Sequence, residues 1–559
     1  MKNKIQNNKY VRKLALLPVV LIVMLISSCE DIIDTSPYTS IDENAAFSTP
    51  ALCELSVVGM YNAAQLGYYG GSPRGYPFGA AFVEQGDARG EDVVNRATFY
   101  AISYQGTYTT VSANNYYYWS DTYRLINRAN IVLDGAQKAL DNGVLTEAVA
   151  HKYMGEALTF RAIAHLELLF HFAYPYKHTS NASHWGVPYR KLPSTTAENV
   201  AANMAQGRNS VAECYQFILE DLNLAEQYLP TKVGYATPVT RFTKEAVAAF
   251  KTRVYMHMWD WTNLVNEAKK FEAGGAYASS GVTLEATANA CFDAMGYSTK
   301  ENIFSIQNSA SYNPGVNAAL AAMYNNRVLV CISPIVWRNS FWLADDKRRT
   351  EGAQSASGAM VFTYSGQKFT NKYKDQTNRT DGAPVIRYAE VLLNEAEAYA
   401  RLALAANEVD ANANALAALN KVRDRALADP ATQSYTTASI ATAATAASLS
   451  NNAYLLKAIL AERRIEFVCE GRRWPDIHRL QFDTYFPIAG IPGKVANGSP
   501  SAASYTLGSE YSGTLYYAAP YPVNGDVVTY PNGYKFLWPI PADEINSNPT
   551  LAAQQNPGY

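Results

Sequence analysis

Seven segments of this chain repeat apolar residues at the spacing of a helix face, and several lie a short turn from the next. Tyr123, Ile126, Asn130 and Leu133 define such a face within 116–139, and Ala157, Phe160, Ala164 and Leu168 another within 147–172. Val211, Cys214, Ile218, Leu222 and Ala225 mark a third, and Val247, Phe250, Val254 and Met258 a fourth. Trp261, Leu264, Ala268 and Phe271 follow after a short turn. Ile386, Ala389, Leu393, Ala396 and Ala400, then Ala415, Leu419, Val422 and Ala426, complete the series. A helix with one apolar stripe must bury it against a neighbour. Small residues in these stripes allow close helix approach, so the pattern predicts adjacent antiparallel pairs stacked into a scaffold.

The strict signature of tetratricopeptide repeats is missing. The expected fold class is therefore mainly α, a degenerate tetratricopeptide-like helix-pair scaffold with long loop-rich insertions. The insertions span 67–115, 273–380 and 481–540 and are rich in Gly, Pro, Asn, Ser and Tyr. Loops of this length inside a compact body are functional or disordered, and their aromatic content argues against disorder. The chain has 40 tyrosines, concentrated in 61–123 and 505–534. A tyrosine joins an apolar ring to a polar tip, which suits a surface that meets a hydrated ligand. The body is expected over 51–559, with the scaffold at about 116–272 and 384–480 and a ligand or partner lobe at about 273–383 and 481–559. The Ala/Thr/Ser run 431–450 reads as a plain linker.

The N-terminus carries Lys2, Lys4, Lys9, Arg12 and Lys13 with no acidic residue, then an apolar run from Leu14 to Ile26. This is the charged and apolar layout of an export signal, with an apolar run too short to span a bilayer. It ends Leu25-Ile26-Ser27-Ser28-Cys29, which resembles a bacterial lipobox with Ile at the usual Leu position. Residues 1–28 are thus expected to be removed, Cys29 to carry fatty-acyl chains, and the polar stretch 29–50 to act as a tether. Two or three acyl chains anchor stably where one does not.

The first 28 residues hold five of the 47 basic residues and none of the 49 acidic ones, which leaves a net charge of −7 on the remainder. No basic face is visible, so nucleic acid is excluded as a partner. Cys53, Cys214, Cys291, Cys331 and Cys469 are far apart and show no zinc spacing; buried free thiols are expected. Asp345 and Asp346 could be offered as a glycosidase pair, but adjacent carboxylates in the run DDKRR read as a charged surface. His165, His171, His178 and His184 are spaced six and seven apart, which does not stack two ligands on one helical turn. No nucleophile elbow or phosphate loop is present. No catalytic residue, metal or cofactor is expected.

Residues 461–480 read AERRIEFVCEGRRWPDIHRL. Glu462, Glu466 and Glu470 recur at one-turn spacing among Arg463 and Arg464, and Gly471 breaks the helix before Pro475. This segment resembles a characteristic motif of the SusD/RagB family of Bacteroidetes outer-membrane lipoproteins, with Ile477 at its Leu position. APVIRYAEVLLNEAEAYARL (383–402), WSDTYRLINRANIVLD (119–134) and the ending LWPIPADEINSNPTLAAQQNPGY (537–559) are similar to three further family segments, in the same order. Arg463, Glu466, Arg472 and Asp476 are expected to form buried or half-buried ion pairs.

The resemblance implies a non-catalytic capture protein, lipid-anchored at the outer membrane and exposed on the cell surface. Its partner would be a SusC-like TonB-dependent transporter, and its ligand an oligomeric nutrient, a glycan first and an oligopeptide as the alternative; a surface glycan-degrading enzyme is a more distant reading. Sugar rings stack on aromatic faces while polar side chains bond the rim, so several rings in an arc are needed. The expected ligand-binding residues are Tyr69, Tyr76, Asp87, Arg89, Tyr104 and Tyr108 in one loop and Trp337 and Trp342 in another.

Overall fold

The structure is a computed structural model that describes residues 43–67, 71–232, 239–293, 299–522 and 532–559. Its principal helices include α1 Pro50–Leu66, α2 Ala81–Arg89, α3 Ala113–Asp141, α4 Glu147–Phe172, α5 Val211–Tyr228, α6 Lys244–Met258 and α7 Trp261–Ala268. They continue with α8 Tyr388–Ala405, α9 Ala413–Asp424, α10 Thr437–Ala446, α11 Asn451–Glu466 and α12 Arg473–Arg479. Consecutive helices pack pairwise from α3 to α9, α1 packs on α3, and α11 closes against α8 and α10. This is the expected mainly α, tetratricopeptide-like stack, now begun by α1. A short helix at Glu43–Ala46 precedes it, and Phe47 is buried against Gly135 of α3. Residues 43–50, expected in the tether, therefore contribute to the body.

The centre of the stack is α4. From Gly155 to Phe172 every residue is buried, so this part of the helix has no solvent face. Gly155 allows this closeness, because a Cβ there would lie 2.7 Å from Leu229 Cγ. The polar residues buried along this part are each closed by a partner. Arg161 grips Asp221 of α5 through Nε and Nη2, both at 2.7 Å, and donates from Nη1 to Asn130 of α3 at 2.9 Å. A buried charge without such a partner would be costly.

Among the described residues three two-stranded antiparallel sheets flank the stack: β1 Val93–Asn95 with β3 Val330–Ile332, β2 Asn302–Ile306 with β6 Ala383–Arg387, and β4 Val361–Tyr364 with β5 Gln367–Thr370. The β6 strand corrects one sequence expectation. Ile386 lies in this buried strand and α8 begins only at Tyr388. Val385 and Ile386 are β-branched, and strand β2 supplies the pairing partner. The 431–450 run is also not a linker. It holds α10, whose N-cap Thr436 accepts from Ser439 N while Ser439 Oγ accepts from Thr436 N. Among the described residues no helix is long and apolar enough to cross a membrane.

Candidate functional site

The residues expected to form an aromatic arc do not line a surface. Tyr76, Asp87, Arg89, Tyr104, Tyr108, Trp337 and Trp342 are each at most 4% exposed, and Tyr69 and Cys29 lie outside the described residues. A ring so enclosed offers no face to a sugar, and the polar tips of the three tyrosines and Trp337 are already engaged. The Tyr104 hydroxyl donates to Val495 O at 2.7 Å, and that of Tyr108 donates to Lys535 O. Tyr76 Oη receives the side-chain amides of Gln85 and Asn114, both at 3.4 Å. Trp337 donates to Tyr505 O at 3.2 Å, and Arg349 lies 4.4 Å from both the Trp337 and Trp342 rings.

Arg89 and Asp87 are equally committed. The Arg89 guanidinium stacks 3.5 Å over Trp474 and donates to Phe536 O at 2.6 Å. Burial lowers it to about 10. Burial and the Arg89 charge hold His171 well below its usual range, so its neutral Nδ1 is the acceptor for Arg89 Nη1 at 3.0 Å. Asp87 accepts from Tyr324 Oη at 2.6 Å and Gly471 N at 2.9 Å, and burial lifts its carboxyl to about 7. Asp346, expected on a charged surface, is buried and closes on Arg348; its neighbour Asp345 is exposed.

The 461–480 segment is a structural hub. Arg387 of β6 meets Glu301, Glu466 and Glu470; Arg348 meets Glu462 and Glu466; Arg425 meets Glu301 and Glu466. Asp476 receives Arg463 and Arg479 and is held well below the carboxylate range by them against the effect of burial. Arg472 departs from the expected ion pairs: it is buried and its two terminal nitrogens have no partner among the described residues. Gly471, at φ +74°, lets this turn meet α2 backbone to backbone; a Cβ there would lie 2.5 Å from Val83 Cα.

The open site lies elsewhere. A cleft of about 670 Å³ runs between the outer face of α1, the turn Thr240–Arg241 before α6, and the segment 306–312 that leaves β2. Helix α1 buries Cys53, Val57, Met60 and Ala64 and turns Leu55, Val58, Gly59 and Asn62 into the cleft, one helical stripe for each side. Gln65 pins the facing segment, its amide donating to Gln307 O at 2.6 Å, Asn308 Oδ1 at 3.1 Å and Tyr312 O at 2.9 Å. Arg241 forks onto Glu156 at 3.0 and 2.6 Å, reaches Glu54 at 2.8 Å, and covers the Tyr61 ring at 5.0 Å. Its charge is thereby neutralised. What remains is a lining of two tyrosines and several carboxamides beside the apolar Leu55, Val58 and Ile306, with Tyr312 63% exposed at the rim. This composition suits a hydrated, uncharged ligand with apolar ring faces. Sequence reading missed these residues. The run Gln307-Asn308-Ser309 and the polar pair Asn62 and Gln65 beside Tyr61 are faint signals that only the facing of two distant segments makes meaningful.

The stacked-helix scaffold thus carries an open cleft lined by tyrosines, carboxamides and apolar side chains. The chain belongs to the SusD-like family: the model of the SusD family matches residues 338–559, and one described as "Starch-binding associating with outer membrane" matches 81–256. SusD-like protein P2 of Formosa agariphila is 26% identical over 406 residues, covering 65% of this chain and 71% of that protein. SusD-like protein P38 of the same organism is 25% identical over 241 residues, and the match covers 42% of this chain and 40% of P38. A SusD superfamily protein from Bacteroides fragilis superposes with TM-score 0.67 at 25% identity, over 90% of this chain and 99% of that one. A SusD-like carbohydrate binding protein from Bacteroides vulgatus shares the fold at TM-score 0.66 and 18% identity, over 90% and 98%.

Proposed function

We propose that this chain is a non-catalytic capture protein of the outer membrane, held at the cell surface by acyl chains on Cys29, that binds an oligomeric glycan for a SusC-like TonB-dependent transporter. The observation that carries the reading is the cleft between α1 and 306–312, in a chain of this family. The matched description over 81–256 and the carbohydrate-binding neighbour from Bacteroides vulgatus support a sugar as the ligand. Capture needs no proton transfer or nucleophile. It needs only a shaped surface that exchanges the hydration of hydroxyls for carboxamide hydrogen bonds and lays C–H faces on tyrosine.

The test is calorimetric titration of the purified protein with a panel of neutral and charged oligosaccharides. Tyr312→Ala should weaken binding about tenfold, the loss of one apolar ring contact with its hydrogen-bonding edge, and leave the melting temperature unchanged because the side chain is exposed. Binding of oligopeptides with no saccharide bound, or release of reducing ends by the protein, would sink the proposal. In the same cells, Cys29→Ala should move the protein from the membrane to the soluble fraction, and unchanged partitioning would refute the anchor.

A further inference from the structure

The segment that walls the cleft does not end at Tyr312. It continues as Asn313-Pro314-Gly315-Val316-Asn317, and two arginines brace it from the other side. Arg379 donates from Nε to Asn313 Oδ1 at 3.2 Å. Arg327 donates from Nη1 to Val316 O at 3.0 Å and Asn317 Oδ1 at 2.8 Å. These acceptors are all neutral. Structural arginines of the hub, such as Arg387 and Arg348, are closed onto carboxylates. Among the described residues neither Arg327 nor Arg379 meets a carboxylate, and Nε and Nη2 of Arg327 and both Nη atoms of Arg379 have no partner. Both side chains are half-buried, so each guanidinium is positioned and still reachable.

The acidic residues of the neighbouring turn do not neutralise them. The Asp375 carboxylate accepts from the amides of Asn378 and Thr380, and Asp381 accepts from those of Lys374 and Asp375. Around the arginines the surface is apolar and aromatic: Tyr312 is 63%, Val316 48% and Phe99 36% exposed, and Arg327 lies 4.7 Å over the Phe99 ring. A fork of free N–H groups fits the two oxygens of a carboxylate or sulfate, and an aromatic plane beside it fits a pyranose face.

We infer that the surface around Arg327 and Arg379 binds the acidic groups of an anionic saccharide, a uronate or a sulfated sugar, whose chain runs on past Tyr312 into the neutral cleft. This inference rests on the glycan-capture reading and narrows its ligand. The continuity of residues 307–317 favours one polymer across both surfaces over a separate acidic protein partner.

The experiment uses the full-length protein in detergent and four probes: polygalacturonate for carboxylate, chondroitin sulfate for sulfate, neutral amylopectin, and polyglutamate for an acidic chain without sugar. Polygalacturonate or chondroitin sulfate should bind at least about tenfold more tightly than amylopectin, the gain expected of a charge-assisted pair, and should weaken as sodium chloride rises from low to high concentration. The double variant Arg327→Gln, Arg379→Gln should lose about that tenfold with an unchanged melting temperature, while Arg128→Gln on α3 should change nothing. Equal affinity for amylopectin with no effect of the double variant overturns the inference and leaves glycan capture standing. Polyglutamate binding as tightly as either acidic polysaccharide also overturns it. Failure of every saccharide to bind overturns both.

Discussion

A tyrosine hydroxyl that donates to a main-chain carbonyl does for an irregular segment what the next turn does for a helix. Residues 490–522 and 532–540 contain few ladder hydrogen bonds, so many of their carbonyls need outside donors. Tyr104 and Tyr108 supply two of them from the other end of the chain while their rings fill the space between. Trp337 does the same for Tyr505. Replacing Tyr104 or Trp337 by Ala should therefore destabilise the fold by about 3–5 kcal/mol, seen as a lower melting temperature, with any effect on ligand secondary to that loss. Asp87 gives a pH signature. Below about pH 4 its carboxyl is protonated in the folded and unfolded chains alike. As pH rises toward the folded value of about 7, the unfolded chain releases the proton and the folded chain keeps it, so stability falls across that window. The fall is on the order of 4 kcal/mol. Asp87→Asn should remove it, which denaturant titrations of both proteins at pH 4 and pH 7 would reveal as a smaller pH difference in the variant.

At the scale of elements, helices are legible where one side of the pattern is polar. α5 shows its stripe and its capping box, in which Ser210 and Glu213 satisfy each other's amides. α4 shows alanines and aromatics but conceals how completely it is enclosed, because burial on its second side is decided by α3 and α5 together. α10 hides for the opposite reason. Its Ala/Thr run has only Ile440 and Ala444 to bury, so composition alone suggests a linker. Its existence depends on the cap and on docking to α11. Thr436→Ala should cost about 1 kcal/mol, and amide exchange over 437–446 should quicken with little change elsewhere.

The whole molecule is joined at the carboxylates of α11. Glu466 receives Arg348 from the loop lobe, Arg387 from β6 and Arg425 from the end of α9, the three side chains at most 6% exposed. Three segments far apart in sequence thus share one anion, which is held well below the carboxylate range by those three arginines although burial opposes it. A buried network adds little stability over apolar packing, but breaking it leaves charges without partners. Glu466→Gln should lower stability by about 3–5 kcal/mol, and the loss should appear in one cooperative transition, because scaffold and lobe meet there; two separate transitions would show that they fold independently.

By itself the sequence determined the helix-pair scaffold, written in apolar stripes at helical intervals, and the charged segment 461–480 that carries the family resemblance, but not the distant arginines that close on it. Tertiary structure alone decided which aromatic rings are core and which are surface. Tyr104 and Tyr312 sit in equally polar, glycine-flanked surroundings, and only the packing of 490–522 over the first and the turn of 307–317 away from the second separates them. Burial depends on what distant chain covers a residue, and no local spacing encodes that.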